Sequence, residues 1–409
     1  MKRRIFIAMH YMEIGGAESS LIGLLEALDP EKVDIDLFVF SHQGVFMSAI
    51  PEYVHLLPER ADYSMLERPI AEVFRKGHLL VGIARLMAKW KINRFYRKHP
   101  SERDHSAGFS YMGVEVGRVL PNLYEYGEYD LAISYNYPHN LVLDKVKAKK
   151  KIAWLHTDYR HISVDEQLEL PIWSAFDRIV SISPDVTTGF LETFPTLADK
   201  IMECENILPK GLILGRAEEG FEGFEKFEVF ERYNGLKLLS IGRISNAKNY
   251  DNIPYMAAKL KELLAGMDAP AFRWFIVGPG DHSAIDALSE NLGVKDNVIF
   301  LGPSSNPYPF LKYCDIYAHP SRYEGKSIVV REAQVLCKPV VITNYPTAHS
   351  QINDGVDGVI VPLDNEGCAK GLAEFIMDES KQKEIIKNLQ KEDHAGMNEV
   401  NKIYELIDA

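Results

Sequence analysis

The chain has 409 residues, 46% of them hydrophobic and 25% charged, which is more than one hydrophobic core usually carries and excludes a small stapled fold and wholesale disorder. Its formal charge of −12 argues against a surface built as a whole to hold nucleic acid, so no nucleic-acid partner is expected. Cys204, Cys314, Cys337 and Cys368 are scattered without paired spacing, which indicates neither a zinc site nor a disulfide framework and suits a reducing cytoplasm.

Met1 to Met9 resembles the opening of a signal peptide, but its apolar run breaks at His10 and Glu13 and no cleavage pattern follows. It reads instead as a buried strand over Arg4–Met9. A helix is expected over Ala17–Leu28, then strands at Ile35–Phe40, Asp130–Tyr135, Lys151–Leu155 and Arg178–Ser181. The second half repeats the habit at Leu236–Ile241, Arg273–Val277, Val298–Leu301, Ile316–Ala318, Val340–Thr343 and Gly358–Val361. These strands are near-continuous apolar runs, as in a parallel sheet covered on both faces, and helical stretches separate them. Two doubly wound, Rossmann-like α/β domains follow, residues 1–207 and 208–409, with a hinge near 205–215 and a last helix free to return to the N-terminal domain.

One stretch breaks the rhythm, a basic helical insertion near residues 64–105. Glu67 to Arg103 carries ten Lys or Arg against three acids, about +7 locally, which leaves the rest of the chain near −19. Its longest apolar run, His78 to Trp90, is interrupted by Arg85 and Lys89, so nothing here spans a membrane. A basic amphipathic helix bearing Trp90, Phe95 and Tyr96 fits an interfacial element on an anionic membrane surface, through residues 68–103. A pair of packing helices with a solvated basic face fits equally well.

Residues with chemical potential cluster at strand ends. Gly15 and Gly16 lie between the first strand and its helix, where bare backbone suits phosphate oxygens, although a glycine pair there is more often just a tight turn. No third glycine completes a dinucleotide fingerprint, so a nicotinamide cofactor loses support. In the second domain a strand ends in Gly242-Arg243 and Lys248 follows five positions later, two cations placed for a diphosphate at the C-terminal edge of a parallel sheet, although taken alone they are more readily explained as exposed surface cations. Gly278 and Gly302 end two further strands on that edge. Ser321-Arg322-Tyr323-Glu324-Gly325-Lys326-Ser327-Ile328 reads as a loop opening a helix that carries Glu332, so two carboxylates can serve one ligand. Either acid alone is explained by an ordinary helix surface or helix start.

Taken in order, Gly-Gly-Ala-Glu, His-Thr-Asp, Gly-Arg-(x)4-Lys-Asn, Gly-Pro-Gly, Phe-Leu-Gly, Pro-Ser-Arg-Tyr-Glu-Gly and (x)6-Glu-Ala resemble glycosyltransferase family 4, retaining enzymes of the GT-B fold. The resemblance is strong over residues 236–365 and moderate over the N-terminal domain, while residues 60–125 match no motif. It implies two Rossmann-like domains facing each other across a cleft. It also implies that Arg243 and Lys248 hold the donor diphosphate and that Glu332 binds the ribose. Glu324 with the backbone of Lys326, Ser327 and Ile328 would grip the transferred sugar, and Gly15 and Gly16 would close over the phosphates. Gly302 and Pro303 resemble the base-binding edge, and His156 resembles a histidine that faces the donor sugar. Asp158 is equally a helix cap. Two departures stand out: Gly325-Lys326-Ser327 replaces the family's Gly-Phe or Ser-Phe pattern, and Leu208-Pro209-Lys210-Gly211 lacks the frequent Asn-Gly turn.

By this resemblance the expected activity is retaining transfer of a sugar from a nucleotide-diphosphate sugar to an acceptor hydroxyl, in bacterial envelope polysaccharide or glycolipid synthesis. The nucleotide sugar is a co-substrate, and neither a cofactor nor a metal is expected. A saccharide or lipid-linked acceptor and a cytoplasmic location, peripheral on the inner face of the membrane, complete the expectation. A GT-B phosphorylase, a sugar-nucleotide epimerase and a non-catalytic sugar-nucleotide-binding protein are the alternatives.

Overall fold

The structure, a computed structural model, describes residues 2–13, 15–66, 68–101, 103–219, 227–267, 269–324 and 326–408. The chain divides into two units, Met1–Pro209 with Gly396–Ala409, and Lys210–Ala395.

The first unit holds strands β1 (Arg3–Met9), β2 (Val33–Val39), β3 (His55–Leu56), β4 (Asp104–His105), β5 (Glu128–Ser134), β6 (Lys147–Leu155), β7 (Ile162–Ser163), β8 (Arg178–Ser181) and β9 (Ile201–Glu203). Seven of them form one sheet in the order β3-β2-β1-β5-β6-β8-β9, and β4 pairs with β7 apart from it. Every pairing is parallel. Ile5 to Met9 are all buried, because a parallel strand with helices on both faces needs apolar side chains at every position, not every second one. On one side Phe6 and Phe38 pack with Tyr63, Val73, Val81 and Ala84, so the inner face of the basic segment belongs to this core. A separate cluster holds Leu155, Trp173 and Phe190. The C-terminal helix Val400–Asp408 closes the unit: Ile403 and Ile407 are buried, and Tyr404 Oη accepts from the Asp29 amide at 2.7 Å.

The second unit holds β10 (Leu236–Ile241), β11 (Phe272–Val277), β12 (Val298–Gly302), β13 (Ile316–His319), β14 (Val340–Thr343) and β15 (Val359–Val361), in the order β12-β11-β10-β13-β14-β15, again all parallel. Its core joins Trp274 and Ile276 of the sheet to Met256, Leu260, Leu372 and Phe375 of two covering helices.

The interior strands lie where their apolar runs place them. The edge strands β3 and β9, two and three residues long, were not anticipated from sequence, since an edge strand of that length has no run from which a period can be read. Among the described residues no helix is long and apolar enough to cross a membrane.

Candidate functional site

In a doubly wound sheet the crossovers leave in opposite directions where the strand order reverses, and a crevice opens at the C-terminal ends of the two strands there. In the second unit that point lies between β10, which ends at Gly242-Arg243, and β13, which ends at His319-Pro320-Ser321. Sequence-expected residues from three stretches meet on this edge.

The rim is bare backbone. The Gly242 amide donates to Val277 O and the Gly278 amide to Gly302 O, both at 2.9 Å, so three strand ends form one row. Gly278 has to be glycine, because a Cβ there would lie 2.0 Å from the Gly242 carbonyl oxygen and the backbone has φ +153°. Arg243 follows the rim and is exposed, with its turn held by the Ile244 amide on Pro279 O at 2.9 Å. Pro303, after Gly302, is exposed as well.

Lys248 folds back toward this rim, its Cε 3.1 Å from where a Cβ on Gly242 would stand. Its Nζ donates to Glu324 Oε1 at 2.5 Å. The same oxygen accepts from Ser321 Oγ at 2.8 Å and faces His319 Nε2 at 3.1 Å. Tyr317 Oη lies 3.1 Å from His319 Nδ1. One assignment satisfies all five groups: Lys248 and Ser321 donate to the carboxylate, Tyr317 donates to Nδ1, and the imidazole donates from Nε2 to the carboxylate. Burial lowers the His319 pKa, so the ring donates in its neutral form. Burial acts to raise the Glu324 pKa, but the His319 contact and then the Lys248 ammonium overcome it and hold the carboxyl at about 2. Glu324 is therefore a fixed anion and Lys248 a fixed cation.

Ser327 precedes helix Ile328–Val335, and its amide donates to Gln351 Oε1 at 2.9 Å, while Gln351 Nε2 returns a bond to Ser327 O at 2.6 Å. Of the amides expected at this helix start, the one on Ser327 is thus already engaged. Lys326 is half-buried, Ile328 opens the helix, and Gly325 lies outside the described residues. Glu332, one turn beyond Ile328, is buried and accepts from Tyr308 Oη at 2.9 Å. Burial pushes its pKa up to about 7. A carboxyl poised there can accept from a ligand hydroxyl at the cost of taking up charge.

In the first unit the strand order reverses between β1 and β5. Gly15 caps helix Gly16–Ala27, and the Glu18 carboxylate folds back so far that a Cβ on Gly15 would lie 2.1 Å from its Oε2. His156 follows β6, and its Nε2 donates to Tyr135 O at 3.0 Å. Burial takes its pKa down to about 4, so the ring is neutral at pH 7 and its Nδ1 is an acceptor. Asp158 caps the short turn Tyr159–His161 through the Arg160 amide and pairs with Arg160 at 2.6 Å, which accounts for it structurally. A cavity of about 260 Å³ lies beside this edge, lined by His10, Leu66, Ile92, His105, Phe109 and Pro138.

Several site residues were missed in the sequence. His319 ends a strand just before Pro320-Ser321, the same signal that drew attention to His156. Tyr308 and Gln351 reach the site through buried contacts that no local pattern announces. The hydroxyls of Tyr250 and Ser327 are buried and form no hydrogen bond among the described residues.

Residues 223–392 match the family described as Glycosyl transferases group 1. The chain is 28% identical over 156 residues to the N-acetylgalactosamine-N,N'-diacetylbacillosaminyl-diphospho-undecaprenol 4-alpha-N-acetylgalactosaminyltransferase of Campylobacter jejuni, covering 38% of this chain and 40% of that one. It is 24% identical over 224 residues to the lipopolysaccharide glucosyltransferase WaaG of Escherichia coli, covering 53% of this chain and 57% of WaaG. In both cases the match spans less than two thirds of the relative's length. Among solved structures, Anabaena HepE in complex with UDP and glucose aligns with a TM-score of 0.60 at 17% identity, over 99% of each chain. The fold is accordingly the two-domain, parallel-sheet α/β architecture called GT-B, and the second unit carries the group 1 glycosyl transferase pattern.

Proposed function

We propose that this chain is a retaining glycosyltransferase that moves a sugar from a nucleotide-diphosphate sugar to an acceptor hydroxyl, in bacterial envelope polysaccharide or glycolipid synthesis. The observation that carries the reading is the Lys248–Glu324 pair beside Arg243 at the β10/β13 crevice, on a rim of bare glycine backbone. Arg243 presents a planar fork and Lys248 a point charge to the diphosphate, and both interactions strengthen as the leaving group gains charge. Glu332 accepts from the ribose hydroxyls, and Glu324, held as an anion, accepts from hydroxyls of the transferred sugar. His156 aligns the reacting groups. The anomeric C–O bond to the diphosphate breaks, the acceptor oxygen bonds to the same carbon on the same face, and the acceptor proton passes to the departing phosphate oxygen. The two cations supply the charge that a metal brings in other phosphate sites, so turnover is expected to persist in chelator.

The test is calorimetric titration with nucleoside diphosphates, followed by turnover with the matching nucleotide sugars and assignment of the product anomer by NMR. UDP comes first, because HepE and the TarM protein of S. aureus were both solved with it. Arg243→Ala should bind the cognate diphosphate at least tenfold more weakly and lose about 2–4 kcal/mol of transition-state stabilisation. If no nucleoside diphosphate binds the parent, the reading fails.

A further inference from the structure

Helix Leu79–Lys98 is the longest in the chain among the described residues, and its two faces differ sharply. Val81, Ala84 and Ala88 are buried, and Arg85 turns inward to donate to Met65 O at 2.6 Å and to Arg68 O. The outward face carries Leu79, Leu80, Ile83, Leu86, Met87 and Trp90, between 46% and 67% exposed. At 3.6 residues per turn these six positions fall within an arc of about 120°, a continuous apolar stripe. Arg94 and Arg97 continue the same arc beyond Trp90, with Arg94 5.5 Å from the indole centroid, and Lys98 lies at its edge. Stripe and cations together run for about 27 Å along the helix.

We propose that this face is a docking surface for an anionic lipid bilayer, with the helix lying in the plane of the membrane, the stripe in the acyl boundary and Arg94, Arg97 and Lys98 among the headgroups. The inner face already has its partners in the core, so packing within the unit leaves the stripe unexplained. A second copy of the chain is a poor occupant. Residues 73–101 contain no acidic residue, so a self-complementary contact offers these cations no counter-charge. Lys91 is spent on Glu115 at 2.5 Å and Lys76 on Glu72 at 3.0 Å, whereas Lys89, Arg94, Arg97 and Lys98 are exposed. An exposed apolar stripe with one sign of charge suits a surface that is apolar inside and anionic outside. This inference does not rest on the donor reading.

The test is sedimentation of the full chain with phosphatidylglycerol and with phosphatidylcholine vesicles, at low and high salt. Tryptophan fluorescence is followed with brominated lipid. Trp154, Trp173 and Trp274 are buried, so lipid-dependent quenching reports Trp90. The parent should sediment with the anionic vesicles only, with Trp90 quenched, and high salt should weaken but not abolish binding. Leu80→Glu/Leu86→Glu and Arg94→Glu/Arg97→Glu should each lower partitioning at least tenfold with melting unchanged, while Met267→Glu, on another exposed apolar side chain, should bind like the parent. Absence of binding to phosphatidylglycerol at low salt overturns the proposal. So does binding without Trp90 quenching, or a dimer in solution that Leu80→Glu/Leu86→Glu dissociates.

Discussion

Lys248 Nζ lies 2.5 Å from Glu324 Oε1 although 76 residues separate them in sequence. The strand order makes this possible. Lys248 follows β10 and Glu324 follows β13, and these strands are hydrogen-bonded neighbours at the switch point. A cation and an anion that would each repel half of a polar ligand are thereby locked together. On the proposed reading, a diphosphate held at Lys248 would share it with Glu324, and sugar hydroxyls would meet a carboxylate already oriented.

The pair ties the stability of the second unit to acid. Glu324 titrates at about 2 in the fold against 4.5 in its ordinary state, so its stabilisation is fully present above pH 4.5 and is lost as pH falls through about 2. The shift corresponds to about 3 kcal/mol. Lys248→Met should shrink this acid-dependent loss, because His319 then remains as the main partner. Calorimetric melts from pH 2 to pH 7 measure it, and an identical pH dependence in parent and variant would remove Lys248 from the account.

Glu332 works in the opposite direction. Its carboxyl titrates at about 7 in the fold against 4.5 ordinarily, so the folded unit binds its proton more tightly and loses stability as pH rises from 4.5 to 7. Glu332→Gln carries no charge to bury. It should match the parent near pH 4.5 and exceed it at pH 8 by up to about 3 kcal/mol, while binding nucleoside diphosphate more weakly. Weaker binding in a more stable protein separates a ligand-holding carboxylate from a structural one. Loss of stability at pH 8 would show that the Tyr308 bond, and not the ligand, is what Glu332 is for.

Much of this was legible in the residues. The two sheets announced themselves through apolar runs at every interior strand, and Arg243, Lys248 and Glu324 could be placed on one sheet edge because strand-end positions are local. What stayed hidden depends on distance in sequence. Nothing near Glu332 signals that Tyr308 will cap it, and nothing near Ser327 signals that Gln351 will take its amide, since both contacts are made by crossovers returning to the sheet. Composition exposed the charge of residues 68–103 but left packing and docking even. The burial of Val81, Ala84 and Ala88 against the exposure of Leu80, Ile83 and Trp90 separates the two faces.

His156 donates a hydrogen bond to Tyr135 O and is neutral through the working range. Its replacement removes little core, so His156→Ala should melt within a few degrees of the parent. If it aligns reacting groups, turnover should fall roughly a hundredfold. The pH–rate profile of the parent should show no limb near pH 6.5 from this ring. A large drop in melting temperature with a proportionate loss of activity would make it a packing residue instead.

Tyr250 provides the sharpest separation of ligand binding from folding. It is fully buried two residues after Lys248, and its hydroxyl lies 3.1 Å from where a Cβ on Gly242 would stand, without a hydrogen bond among the described residues. A buried hydroxyl without a partner costs about 1–3 kcal/mol. Tyr250→Phe removes that cost while keeping the ring that fills the core. Without ligand the variant should therefore be as stable as the parent or more so. If the hydroxyl points at the diphosphate or its sugar, the same variant should bind donor more weakly, because it cannot supply the bond that the parent makes. Melting curves with and without nucleoside diphosphate decide it: the parent should gain more from ligand than Tyr250→Phe does. Equal gains would mean that the hydroxyl meets only water, and lower stability without ligand would mean that it has a partner within the fold.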